Sequence, residues 1–222
     1  MNNNNNNNNI KYSFYSIKQS ITNNIQIVAV SKNRSIDCIN TLYKIGHRDF
    51  GENYVQEMVL KYNQLPKNIR WHMIGKIQTN KLKYISPFIY MIHSVYTLKQ
   101  LHIINNEAKK HNRIIKCLLQ VKICNDKTKS GILNDTEIYH ILDYHNNKKM
   151  KYVKIIGLMG MSSHYGTDDQ IQNEFNFLKK IYKKCKYKYN HSVLSMGMSR
   201  DYIIAIKCGS NMIRLGTSIF DK

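Results

Sequence analysis

The chain's 222 residues are enough for one large domain or one barrel of roughly 200–250 residues, and not comfortably for two full domains. No apolar run approaches the roughly 20 residues a membrane-spanning helix needs, and the N-terminus lacks the apolar core of a secretory signal, so a soluble, cytoplasmic protein without membrane contact is expected. The 34 Lys and Arg against 14 Asp and Glu give a net charge of +20, while five cysteines without a CxxC pair and nine histidines without an HxxxH pair argue against both a metal site and a disulfide framework.

Residues 2–9 are eight asparagines with no apolar atoms to bury. Residues 1–22 are therefore expected to form a disordered polyasparagine leader followed by a short helix over 10–22, with the folded domain at 23–222. Eight strand-like runs follow: QIVAVS at 26–31, RDFG at 48–51, RWHMIG at 70–75, YMIHS at 90–94, IKCLLQVKI at 115–123, IIGLMGM at 155–161, SVLSMG at 192–197 and MIRL at 212–215. Apolar residues at helical spacing lie between them, such as Ile36, Ile39, Leu42 and Tyr43 after the first run and Phe175, Leu178, Ile181 and Tyr182 after the sixth. Repeated strand-then-helix units with right-handed crossovers predict an α/β chain closed as a single-domain (β/α)8 TIM barrel. Periodicity alone leaves an open doubly wound sheet as the alternative.

The net charge raises nucleic acid as a partner. The lysines, however, come with an excess of Asn, Ile and Tyr and only two prolines, the set favoured by A/T-rich codons. The charge is read as compositional drift, and no specific nucleic acid is expected. The basic run KKIYKKCKYKY, residues 179–189, fits the solvated end of an amphipathic helix.

Active sites of such barrels form at the carboxyl ends of the strands, and the polar residues and glycines of this sequence fall there. Lys32 ends the first strand, GENY (residues 51–54) follows the second, and His72 and Gly75 close the third. Met161 to Ser163 follow the sixth, GMSRD (197–201) the seventh, and RLGTSIF (214–220) the eighth. Ser199 stands at a helix start, where a hydroxyl and free N–H groups suit an anion. Gly216 and Thr217 add a close backbone approach and a second hydroxyl, matching the barrel phosphate site after strands seven and eight. An amine at a strand end facing that site suits Schiff-base chemistry, because desolvation in the mouth would favour a neutral, nucleophilic lysine. A phosphorylated aldehyde is the natural ligand, and pyridoxal 5'-phosphate (PLP) the obvious one.

AVSKN, FGENYVQE, RWHMIGKIQTNK, KTKSGI, GLMGM, LSMGMSRDY and IRLGTSIF, in this order, resemble the motifs of the YggS/PROSC family of pyridoxal-phosphate homeostasis proteins over about residues 27–220. The resemblance implies a PLP fold-type III barrel similar to the N-terminal domain of alanine racemase. It implies that Lys32 carries PLP as an internal aldimine, that Ser199, Gly216 and Thr217 bind its phosphate, that Arg214 faces the pyridine nitrogen and that Asn53 lies near the cofactor. A fixed cation at that nitrogen disfavours its protonation and makes the ring a weaker electron sink. Three positions depart from the family pattern: Lys76 replaces a proline, Lys122 an asparagine and Asp221 a glycine.

The function implied is a PLP carrier or buffer acting in PLP homeostasis and so in amino-acid and keto-acid balance, with PLP-dependent apo-enzymes as recipients. The competing reading is a PLP-dependent amino-acid racemase, which needs two acid/base groups on opposite faces of the substrate carbon. In alanine racemases the second group is a tyrosine supplied by another domain across a dimer. The sequence ends soon after the eighth strand motif, so that domain, a dimer and catalysis are not expected; a monomer is. A remote third reading is a basic nucleic-acid-binding protein.

Overall fold

The computed structural model describes residues 2–126, 128–147 and 150–221, with the side chains of the first helix described from Asn6 onward. Met1 and Lys222, the outer limits of the expected domains, and Lys127, which opens the KTKSGI motif, lie outside the described residues. Parallel strands close in sequence order into a barrel: β1 (Gln26–Val30), β2 (Asp49–Glu52), β3 (Arg70–Met73), β4 (Met91–Val95), β5 (Ile115–Val121), β6 (Val153–Gly160), β7 (Val193–Met198) and β8 (Met212–Leu215). Pairing of Gln26 with Met212 and of Ala29 with Leu215 joins β8 back to β1. Each predicted strand is present, within about two residues at each end, and the open-sheet alternative is excluded by closure.

The helices are α1 (Asn2–Ser20), α2 (Ile36–Lys44), α3 (Val55–Gln64), α4 (Leu82–Ile85), α5 (Leu98–Lys110), α6 (Asp135–Asn147), α7 (Asp168–Tyr189), α8 (Tyr202–Lys207) and α9 (Thr217–Phe220). Local signals start several of them. Ser35 caps α2 by accepting from the Cys38 N–H, Thr97 and Gln100 form a capping box on α5, and Thr167 caps α7. On α7 the apolar residues Phe175, Leu178, Ile181 and Tyr182 face the core while Lys180, Lys183, Lys184, Lys186 and Lys188 are exposed, so the basic run is a solvated helix face.

Two apolar layers result. The larger lies between strands and helices and includes Leu42, Phe50, Met58, Trp71 and Phe175; the smaller, of Val28, Met91, Leu118, Met159 and Met212, fills the barrel interior. Register adds polar residues to that interior. His72 lies opposite Met91, Ser195 opposite Met212 and Arg214 opposite Val28. His72, expected at the rim, is fully buried inside because β3 ends at Met73 and the rim begins one residue later.

The N-terminus also differs from expectation, since the asparagine run enters α1 instead of preceding it. Ile10, Phe14 and Ile17 form one buried face, packed against α2 and α9, and Asn7 Oδ1 accepts from Thr41 Oγ1 at 2.8 Å. Helix growth adds a hydrogen bond per residue once a turn exists. The docked apolar turns supply that nucleus, which a reading of composition alone does not reveal.

Candidate functional site

At the carboxyl end of the barrel a cavity of about 570 Å³ is lined by Lys32, Asn53, Ser199, Arg214, Gly216 and Thr217 together with Gly75, Lys76, Tyr96, Lys129 and His164. All six residues singled out as cofactor-binding thus meet at one opening. Lys32 itself is exposed at the lip, not desolvated within the mouth, because β1 ends at Val30 and the chain turns at Ser31.

That turn is held from below. Asn33 adopts a left-handed conformation (φ 57°), which asparagine tolerates, and its N–H donates to Glu57 Oε1 at 2.6 Å. Lys61 Nζ, buried, donates to Ser31 O (2.6 Å), Glu52 Oε1 (2.8 Å) and Glu57 Oε1 (2.7 Å), while Ser31 Oγ donates to Glu52 Oε1 at 2.5 Å. Burial pushes the Glu52 carboxyl up to about 7, although Lys61 and Ser31 pull it down. The backbone on both sides of Lys32 is therefore fixed by α3 and the end of β2. Sequence reading missed Glu52 and Lys61 as a pair; their nine-residue separation carries no local signal.

Next to Lys32 around the barrel, where β8 pairs with β1, the ends of β7 and β8 converge. Ser199 Oγ accepts from the Gly216 N–H (3.1 Å), the Ser218 N–H (3.2 Å) and Ser218 Oγ (3.0 Å). Gly197, at φ 97°, makes the turn that delivers Ser199, and Asp201 fixes it by accepting from the Met198 N–H at 2.6 Å and from Ser162 Oγ. Ser218 was not anticipated; a serine directly after Thr217 was the available signal. Arg214 is buried and donates to Ser195 Oγ (2.6 Å) and Gly160 O (3.1 Å). Burial lowers its guanidinium to about 10, with Asp201 opposing, so it remains cationic at neutral pH.

Asn53 is positioned by Gly75. A Cβ at Gly75 would come within 2.7 Å of Asn53 Cα, so only glycine lets the loops after β2 and β3 approach this closely. Of the three departures from the family pattern, Lys76 lines the cavity and Asp221 forms an ion pair with Arg34 that ties the chain after α9 to the loop after β1. Lys122 donates its backbone N–H to Ile132 O at 2.9 Å.

The model of the alanine racemase N-terminal domain matches residues 6–221. Over 200 residues the chain is 36% identical to the pyridoxal phosphate homeostasis protein of Helicobacter pylori, covering 88% of this chain and 87% of that one. The chain belongs to the pyridoxal phosphate homeostasis protein family. Its Schizosaccharomyces pombe member is 32% identical over 209 residues, covering 92% and 87% of the two chains. PipY of Synechococcus elongatus, at 30% identity and covering 95% of this chain and 99% of its own, superposes with a TM-score of 0.89 without PLP and 0.86 with PLP bound. Family membership therefore extends over strands, helices and the rim alike.

Proposed function

We propose that the rim cavity binds PLP and that the protein acts in PLP homeostasis as a carrier or buffer, through which it affects amino-acid and keto-acid balance. The observation that carries this reading is the convergence of Lys32, Asn53, Ser199, Arg214, Gly216 and Thr217 on one cavity in a chain of this family.

The residues fit the group. The Gly216 and Ser218 N–H groups and the Ser218 hydroxyl converge on Ser199 Oγ, and a phosphate taking that oxygen's place would accept from the same compact set of donors, with Thr217 also lining the cavity. Lys32, after β1, the strand paired with β8, would present its amine to the aldehyde of PLP. Bound PLP would supply an aldehyde able to condense with that amine with loss of water, and a conjugated ring. Arg214, cationic and buried, places a positive charge where the pyridine nitrogen sits in this reading, and so disfavours protonation of that nitrogen. A weak electron sink suits holding and releasing the cofactor better than removing a substrate proton.

The remaining parts of the proposal are a monomer, a cytoplasmic location and PLP-dependent apo-enzymes as recipients. Loaded wild-type protein is expected to absorb near the visible edge and to release PLP to an apo-enzyme; Lys32→Ala is expected to lack the band. Exchange of an amino acid's α-proton with deuterated solvent, faster than with free PLP, would instead favour the racemase reading. Salt-sensitive duplex binding that survives Lys32→Ala would favour the nucleic-acid reading.

A further inference from the structure

Buried side chains cross the barrel interior in one continuous file from its base to the rim cavity. At the base, Asp49 opens β2 and holds Arg70 through two hydrogen bonds, Arg70 Nε to Oδ1 at 2.7 Å and Nη2 to Oδ2 at 2.5 Å. Asp49 Oδ1 also lies 3.0 Å from His72 Nε2. His72 Nδ1 lies 2.9 Å from His93 Nε2, and His93 Nδ1 lies 3.5 Å from Ser195 Oγ, which accepts from Arg214 Nη1 at 2.6 Å. Each member from Asp49 to Arg214 is buried.

With both imidazoles neutral, the Asp49 end fixes every proton in the file. Arginine only donates and a carboxylate only accepts, whereas a hydroxyl can do both. Asp49 takes its hydrogen bond from His72 Nε2–H, so a neutral His72 accepts at Nδ1 from His93 Nε2–H. A neutral His93 then accepts at Nδ1 from the Ser195 hydroxyl, whose oxygen also accepts from Arg214. Both imidazoles are neutral in this assignment, in keeping with burial, which lowers His72 and lowers His93 well below the ordinary value. The charged groups facing them are Asp49, Arg70, Lys116 and Arg214, and their dipoles all align from Arg214 toward Asp49.

Among the described residues Arg214 has no carboxylate hydrogen-bond partner; it bonds a hydroxyl and a carbonyl. We propose that the Asp49–His72–His93–Ser195 file is a positioning relay, which orients the Arg214 guanidinium under the rim cavity and couples it to the Asp49–Arg70 pair at the base of the barrel. The relay rests on the reading that the cavity takes PLP with Arg214 at the ring nitrogen. His72, His93 and Ser195 are positioning residues; none lines the cavity.

Two measurements test it. In the cofactor-free wild-type protein, 15N NMR of the imidazoles should find His72 and His93 neutral, protonated on Nε2, and unchanged between about pH 5 and pH 8, where a free histidine titrates. A proton on Nδ1 of either ring, or titration in that range, overturns the file. In the second, ring-15N-labelled PLP is bound to wild type, His72→Leu, His93→Leu and the double variant. Each single variant should shift the pyridine 15N signal and weaken PLP binding by roughly tenfold, and the double variant no more than either, because one break already uncouples the ends. Shifts that add, or single variants within about twofold of wild type, overturn the relay while leaving PLP binding by the wild type intact. A wild type that binds no PLP defeats the parent reading, and the relay's role with it. Should the leucine variants fail to fold, Ser195→Ala, which deletes one oxygen, carries the same prediction.

Discussion

Lys61 is the residue on which the lip of the cavity turns, since its ammonium joins Ser31, Glu52 and Glu57 beneath Lys32. Removing one partner of a buried charged cluster strands the others, so Lys61→Met should cost about 3 kcal/mol in urea unfolding. The cost should be greater above pH 7 than at pH 5, because Glu52 can escape by protonation in acid. Glu52 adds its own pH dependence. Its folded pKa, about 7, is raised above the ordinary 4.5, so its contribution is fully present below about pH 4.5 and is lost as pH rises through about 7. Glu52→Gln should lack that decline, and its stability relative to wild type should rise between about pH 5 and pH 8. An unchanged difference would show that Lys61 holds Glu52 ionised throughout.

Strand ends and their glycines set the geometry of the site. Gly75→Ala would push a methyl into the Asn53 backbone; a cost of about 2 kcal/mol in unfolding is expected from overpacking, with weaker PLP binding as Asn53 is displaced. For α1, the anchored face is the part that matters: Phe14→Ala should cost about 3 kcal/mol, whereas deleting residues 2–5 should change stability by less than about 0.5 kcal/mol. Thermal melts distinguish these. The strands were readable in the sequence because runs such as QIVAV and MIRL are short, apolar and bounded by polar rim residues. The Ser199 and Gly216 turns were readable because few residue types serve such positions. The start of α1 was not, because asparagine is a poor helix former and its order comes from Ile10, Phe14 and Ile17 docking on α2 and α9. Asp49, His72, His93 and Ser195 stand on four strands, and only barrel closure brings them into one file.

Across the whole molecule, buried histidines govern the response to acid. Burial lowers His47 and His191 to about 4, and lowers His72 and His93 as well. A depressed folded pKa gives stability that is present above about pH 6.5 and lost as pH falls through the folded value. Asp49 acts lower down. Burial would raise it, but Arg70 and His72 outweigh burial and hold it well below the usual carboxylate range, so its contribution disappears only in stronger acid. Four histidines outweigh the opposite trend of Glu52, and the melting temperature should fall steadily from about pH 7 to pH 4; a flat profile would contradict the burial of these rings. The central claim is that one lysine of 34 basic residues holds the cofactor. Borohydride reduction of PLP-loaded protein, followed by peptide mass mapping, tests it most directly. The account predicts the reduced cofactor's mass on the peptide containing Lys32; the same mass on the peptide of Lys76 or Lys129, or on none, would contradict it.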